Sequence, residues 1–246
     1  MAIRNIKLTI SYDGVNYSGW QYQHDKRTIQ GELQRAIGEL TGTFTKINGA
    51  SRTDAGVSAL GQVANFLIDS KIPTENLLKA INHRLPKDIA VTEAVEVDQT
   101  FDASSSAKSK LYRYTIFTGK NRNVLKMRNC WHRPGTLDVE AMDAAAKMLL
   151  GTHDFKSFAS AADKREISIR IIMQCRVTQE EKWVYIDIEA DRFLYNMVRN
   201  IVGTLVEIGR VKWKPEKITE ILEAKDRTAA GPIAPPEGLC LMWIKY

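Results

Sequence analysis

Asp54 lies in the stretch GASRTDAGVSALGQVANF (residues 49–66), two positions after Arg52 and directly before Ala55-Gly56. A carboxylate near a guanidinium is held in its ionised form, and an ionised carboxylate can act as a nucleophile. Small residues beside it let a ligand or another backbone approach closely. The plain alternative is a turn cap for Gly56.

Arg199 is the second candidate. In FLYNMVRNIVGTLVEIG, residues Leu194, Met197, Val198, Ile201, Val202, Leu205 and Ile208 recur at helical spacing, flanked by Tyr195, Arg199 and Gly203. An arginine at the edge of an apolar stripe either snorkels to water or pairs with a buried carboxylate. No acid stands four residues before or after it, so a partner must come from elsewhere in the fold. Tyr112 and Tyr114, in KLYRYTIF, point to one side of a strand and Arg113 to the other. Such tyrosines commonly fill a core, but Lys108 and Lys110 precede them. Cations interleaved with aromatics hold phosphates and stack bases.

Much other chemistry is missing from the sequence. It has no Gly-rich nucleotide loop, Walker sequence, HExxH, EF-hand loop or nucleophile elbow. The four histidines are scattered, and the three cysteines (Cys130, Cys175, Cys240) have neither metal-site nor paired spacing. Reduced thiols in a cytoplasmic protein are expected, with no metal and no organic cofactor. No signal peptide or membrane-length apolar run is read. With 35 basic and 29 acidic residues the net charge is +6, which suits nucleic acid without requiring it.

The elements that must position these residues follow from periodicity. Residues 6–12 read as a strand, and Thr28 caps a helix that ends at Gly42. Strands are expected at 44–48 and 62–68, a helix from Pro73, and a strand at 89–97. The order is β-α-β-β-α-β, the split ferredoxin-like unit. The second half repeats the plan. A strand at 111–117 leads to a helix at 138–150, then a hairpin of 167–178 and 183–190 that turns near Glu180 and Glu181. Helices at 193–208 and 215–223 and a strand at 239–244 complete it. The junction is placed at residues 98–110.

The stretch from Gly49 to Phe66 resembles the signature of the tRNA pseudouridine synthases of the TruA type. YDGVNYSGWQYQ (12–23), AINHRLPKDIAV (80–91), LYRY (111–114), HDFKSF (153–158), FLYNMVRNIVGTL (193–205) and AKDRTAAGPIAPPEGL (224–239) stand where that family has its own versions. The resemblance implies an α+β pseudouridine synthase fold. Its two ferredoxin-like halves, 1–103 and 104–246, share a mixed, mainly antiparallel sheet around a central basic cleft. It also implies isomerisation of uridine to pseudouridine at positions 38–40 of the tRNA anticodon stem-loop, by a homodimer. In that family Asp54 would be the nucleophile, Arg52 would help extrude the target base and take its place, Tyr112 would pack on the flipped uracil, and Arg199 would pair with Asp54.

Three features depart from the family pattern. Ser51 stands where the family usually has Gly, and Ser58 where it usually has His. Around Ser104 and Ser105 the family commonly carries an arginine and an aromatic. Ser104, Ser105, Lys108 and Lys110 are expected to contact tRNA, the two lysines through phosphates, and the departure at Ser104 and Ser105 bears on one of the family's RNA contacts. The chemistry requires the uridine to leave the stack, after which detached uracil rotates and rebonds through carbon 5. Attack on the sugar and attack on the ring both remain open. Two rival readings are a doubled RRM-like binder, which lacks an RNP1 strand, and a small-molecule transferase, which lacks a second carboxylate near Asp54.

Overall fold

A computed structural model describes residues 3–246, which fold into two compact units. The first contains the chain up to Lys108 together with Leu241–Tyr246, and the second is Ser109–Cys240.

The first unit begins with β1 (Arg4–Tyr12), whose alternation buries Ile6, Leu8, Ile10 and Tyr12 on one face. Helix α1 (Ile29–Thr41) starts where the Thr28 side chain accepts from the Gly31 amide, and ends at Gly42 in the left-handed region, φ +73°. The strand expected at 44–48 shrinks to β2 (Asn48–Gly49). Phe44, its leading apolar residue, is exposed and has no core to pack into. β3 (Ser58–Ile68), α2 (Thr74–Arg84) and β4 (Ile89–Val97) follow. β1 pairs antiparallel with both β3 and β4, and β2 pairs antiparallel with β3. The closing strand β10 (Leu239–Lys245) lies beside β3. Gly61 permits that approach, because a Cβ there would lie 2.5 Å from the Met242 carbonyl oxygen. The expected junction is anchored: Asn5 Nδ2 donates to the carbonyls of Asp98 and Phe101, and Asn65 Oδ1 accepts from the Ala103 amide.

The second unit runs β5 (Ser109–Phe117), β6 (Trp131–His132), α3 (Val139–Lys147), β7 (Gly151–Asp154), β8 (Ile169–Glu180), β9 (Trp183–Ala190), α4 (Met197–Gly209) and α5 (Lys217–Ala224). Its sheet order is β5-β9-β8-β7, with antiparallel pairs throughout that path and short β6 parallel to β5. The hairpin turns where expected, with Glu181 at φ +52°. Asp138 caps α3 by accepting from the Ala141 amide. Helix α3 packs on β8 and on α4.

Helix α4 corrects the sequence reading twice. It begins at Met197, not Phe193, because Asn196 takes a left-handed conformation, φ +61°, that ends the preceding loop. Tyr195 therefore lies outside the helix. Nor is its surface a stripe, since every residue of α4 is buried except Arg199.

Candidate active site

In the first unit the Asp54 loop is held from three directions. The Asp54 carbonyl accepts from the Val57 amide at 3.2 Å, closing a turn whose third residue, Gly56, has φ +80°. A type II turn demands a positive φ at that place. Upstream, Gln62 is fully buried and bonds both backbone groups of Ser51: its Nε2 donates to the carbonyl at 2.7 Å and its Oε1 accepts from the amide at 3.2 Å. Between them the Thr53 and Tyr12 hydroxyls share a 2.8 Å hydrogen bond. Asp54 itself is half-buried and Arg52 is exposed.

The third support is the loop after β1, which lies against this turn with no room for side chains. A Cβ on Gly14 would meet the Val57 carbonyl oxygen at 2.0 Å. One on Gly19, already at φ +94°, would meet the Thr53 carbonyl oxygen at 2.7 Å. Hydrogen bonds cross the same gap from Trp20 N–H to Thr53 O and from Gly56 N–H to Tyr17 O. The Ser58 hydroxyl accepts from the Gly14 amide at 3.0 Å, so the residue that departs from the family pattern serves as a clamp. Tyr17 is fixed in turn by a 2.5 Å hydrogen bond to Asp88 and by Arg27 over its ring. A carboxylate on such a scaffold needs little reorganisation to act.

In the second unit Tyr112 and Tyr114 are both buried on one face of β5, as the alternation requires. Arg113, on the other face, makes a two-pronged ion pair with Asp187 at 2.7 and 2.8 Å. Tyr114 is structural: its hydroxyl donates to the Pro235 carbonyl, and burial pushes its phenol well above the usual range. Tyr112 meets Phe193 edge-on, ring centroids 5.2 Å apart.

The segment 227–238 fastens α4. Arg199 Nε donates to the Ala234 carbonyl at 2.8 Å, and the Ala234 amide returns a bond to the Arg199 carbonyl. One turn on, the Thr204 hydroxyl accepts from the Gly231 amide. A Cβ on Gly203 would fall 1.6 Å from the Pro232 carbonyl oxygen, so only glycine lets the two backbones meet. Arg199 Nη1 reaches Asn196 Oδ1 at 3.3 Å.

The remaining candidates are placed as follows. Ser104 and Ser105 are exposed and turn around Asp102, whose carboxylate accepts from both amides and from the Ser105 hydroxyl. Lys108 is exposed. Burial, and then the nearby Arg192 guanidinium, push the Lys110 ammonium down to about 8. Among the described residues no group of three or more His, Cys, Asp or Glu is placed to hold a metal ion. No helix of the described residues is long and apolar enough to cross a membrane. Sequence reading missed Tyr12, Gly14, Gly19 and Gln62, the residues that hold the Asp54 loop. The one signal was a glutamine inside the apolar run ALGQVANFLI.

The chain matches the tRNA pseudouridine synthase family over residues 8–104 and 145–246. Relatives named tRNA pseudouridine synthase A are similar over its whole length. That of Thermoanaerobacter pseudethanolicus is 46% identical over 244 residues, covering 99% of this chain and 100% of the relative. That of Moorella thermoacetica is 47% identical over 243 residues, covering 98% and 99%. That of Acetivibrio thermocellus is 46% identical, covering 99% and 100%. A chain in a solved Cbf5-Nop10-Gar1 complex aligns with 81% of this chain and 54% of its own length, at TM-score 0.34 and 12% identity; the assignment rests on the sequence relatives instead. This chain belongs to the tRNA pseudouridine synthase family. The family consists of isomerases that convert uridine to pseudouridine in tRNA.

Proposed function

We propose that this protein isomerises uridine to pseudouridine at positions 38–40 of the tRNA anticodon stem-loop, as a cytoplasmic homodimer. The observation that carries this reading is a match at about 46% identity along essentially the entire chain. The rigid turn that presents Asp54 supports it. The roles follow the resemblance: Asp54 is the nucleophile, Arg52 helps extrude the base, Tyr112 packs on the uracil, and Arg199 is the cation that keeps Asp54 ionised.

The chemistry is a closed isomerisation. The target base leaves its stack. The Asp54 carboxylate then takes part in breaking the bond between uracil N1 and the ribose anomeric carbon. Uracil turns within the pocket, carbon 5 bonds to the anomeric carbon, and the carbon 5 proton departs to a base while N1 gains one. No atom is gained or lost overall, so no co-substrate is called for. The test is release of tritium from tRNA labelled at carbon 5 of uridine. Release with one label lost per pseudouridine formed supports the reading, and tRNA binding without release would make the protein a binding module.

A further inference from the structure

Asp88, the residue before β4, holds the loop that backs the Asp54 turn by two of its groups. Its carbonyl accepts from the Asp13 amide at 3.0 Å, and its carboxylate accepts from the Tyr17 hydroxyl at 2.5 Å. A hydrogen bond to a carboxylate is charge-assisted, roughly twice as strong as a neutral one. Tyr17 is buried, and burial followed by this bond pushes its phenol well above the usual range, so the hydroxyl stays a donor. The Arg27 guanidinium lies 4.4 Å from the Tyr17 ring centroid and 3.6 Å from the same carboxylate oxygen. Arg27 in turn is tied to α1 through Glu32, and its carbonyl accepts from the Ser18 amide.

Tyr17 passes this hold to the turn through its backbone. Its carbonyl accepts from the Gly56 amide at 3.3 Å, and Gly56 is the positive-φ residue on which the turn depends. Two hydrogen bonds, one at each end of Tyr17, therefore join the Asp88 carboxylate to the Asp54 turn. The next residue, Ile89, pairs with Tyr12, whose hydroxyl bonds Thr53, so β4 reaches the turn by a second route.

We infer that Asp88 is a positioning residue for the isomerisation: its carboxylate, acting through the Tyr17 hydroxyl and carbonyl, sets the place of the Asp54 turn. The requirement at position 88 is an oxygen acceptor, which an amide also supplies. The inference rests on the reading of Asp54 as the nucleophile and adds a residue that acts through two others.

The experiment measures tritium release and tRNA affinity for Tyr17→Phe, Asp88→Ala, Asp88→Asn and the double variant of the first two. Asn82→Ala serves as the control, because Asn82 on α2 grips Val91 of β4 by two 2.8 Å hydrogen bonds that lead away from the turn. Tyr17→Phe and Asp88→Ala should each lower kcat at saturating tRNA about tenfold, since misplacing a reacting group is costly. KM and affinity should stay within about twofold. Asp88→Asn should recover most of the loss, and the double variant should be no worse than Asp88→Ala, because both changes remove one interaction. Asn82→Ala should lose stability and keep its kcat. Tyr17→Phe deletes a single oxygen, so it carries the test even if Asp88→Ala unfolds. Hydrogen exchange at the Gly56 amide reads the same hold without turnover, and should quicken about tenfold in Tyr17→Phe. Wild-type kcat in Tyr17→Phe, an equal loss of kcat in Asn82→Ala, or unchanged Gly56 exchange would each overturn the inference. Wild-type protein that releases no tritium, with Gly56 exchange quickened in Tyr17→Phe, would instead overturn the functional reading and leave the hold on the turn standing.

Discussion

Gln62 grips Ser51 by both of its backbone groups, donating to the carbonyl at 2.7 Å and accepting from the amide at 3.2 Å. Asp54 is three residues further along, so this side chain fixes the approach to the candidate nucleophile without touching it. Gln62→Leu keeps the volume and removes both hydrogen bonds, at a cost of about 0.5–1.5 kcal/mol each. Thermal melting should fall by roughly 2–4 °C for each kcal/mol. Turnover at saturating tRNA should fall more than about tenfold, because misplacing a reacting group is costly, while tRNA affinity holds. Wild-type turnover in a merely less stable protein would show that the Asp54 loop sets its own geometry.

Gly19 tests the same loop from the opposite side. Its φ of +94° disfavours any side chain, and a Cβ would meet the Thr53 carbonyl oxygen at 2.7 Å. Gly19→Ala should cost about 1–3 kcal/mol from backbone strain and depress turnover as Gln62→Leu does. Urea unfolding and single-turnover kinetics read the two effects separately. Loss of stability with turnover intact would limit Gly19 to a folding role.

Arg199 is the only residue of α4 that is not buried, and its guanidinium is aimed by Ala234 and Asn196. If it keeps Asp54 ionised, Arg199→Ala should lower activity sharply and move the rising limb of the pH–rate profile upward. Arg199→Lys should rescue only part, since an ammonium lacks the guanidinium fork. A rate loss with no movement of the profile would reduce Arg199 to a packing residue.

Lys110 predicts a dependence on pH. Its ammonium is pushed from 10.5 down to about 8, first by burial and then by Arg192. Below about pH 8 the folded chain carries a charge that the unfolded chain would solvate better. Between about 8 and 10.5 the unfolded chain holds a proton that the folded chain has released, so this group makes stability rise with pH across that window. If Lys110 contacts a tRNA phosphate, affinity should weaken above about pH 8 as the cation is lost. Binding titrations from neutral to alkaline pH should show that loss in the wild type and not in Lys110→Gln. A flat wild-type profile would remove Lys110 from the RNA contact.

The parts of the fold that could be read from the sequence were those set by local patterning. The alternation in β1 and β9 and the caps at Thr28 and Asp138 each lie within a few residues of what they determine. Short β7 was missed because GTHD has neither alternation nor apolar weight. The start of α4 was misplaced because Leu194 keeps the helical period through a loop, and only the left-handed Asn196 marks the break. Asp54 and Arg199 stood out as charges in apolar company. Gln62, Tyr12 and the two glycines did not, because their work is done across 11 to 50 residues of chain and becomes visible only once β1 and β3 are paired.

The central claim is that the Asp54 carboxylate performs the isomerisation. Asp54→Asn keeps the shape and the capping ability of the side chain and removes its nucleophilicity. The deciding measurement is tritium release from carbon-5-labelled tRNA by Asp54→Asn, with melting temperature and tRNA affinity determined on the same preparation. The account predicts melting and binding close to the wild type, with release undetectable. Release above about a few per cent of the wild-type rate would be more than a lost nucleophile permits, and would contradict it.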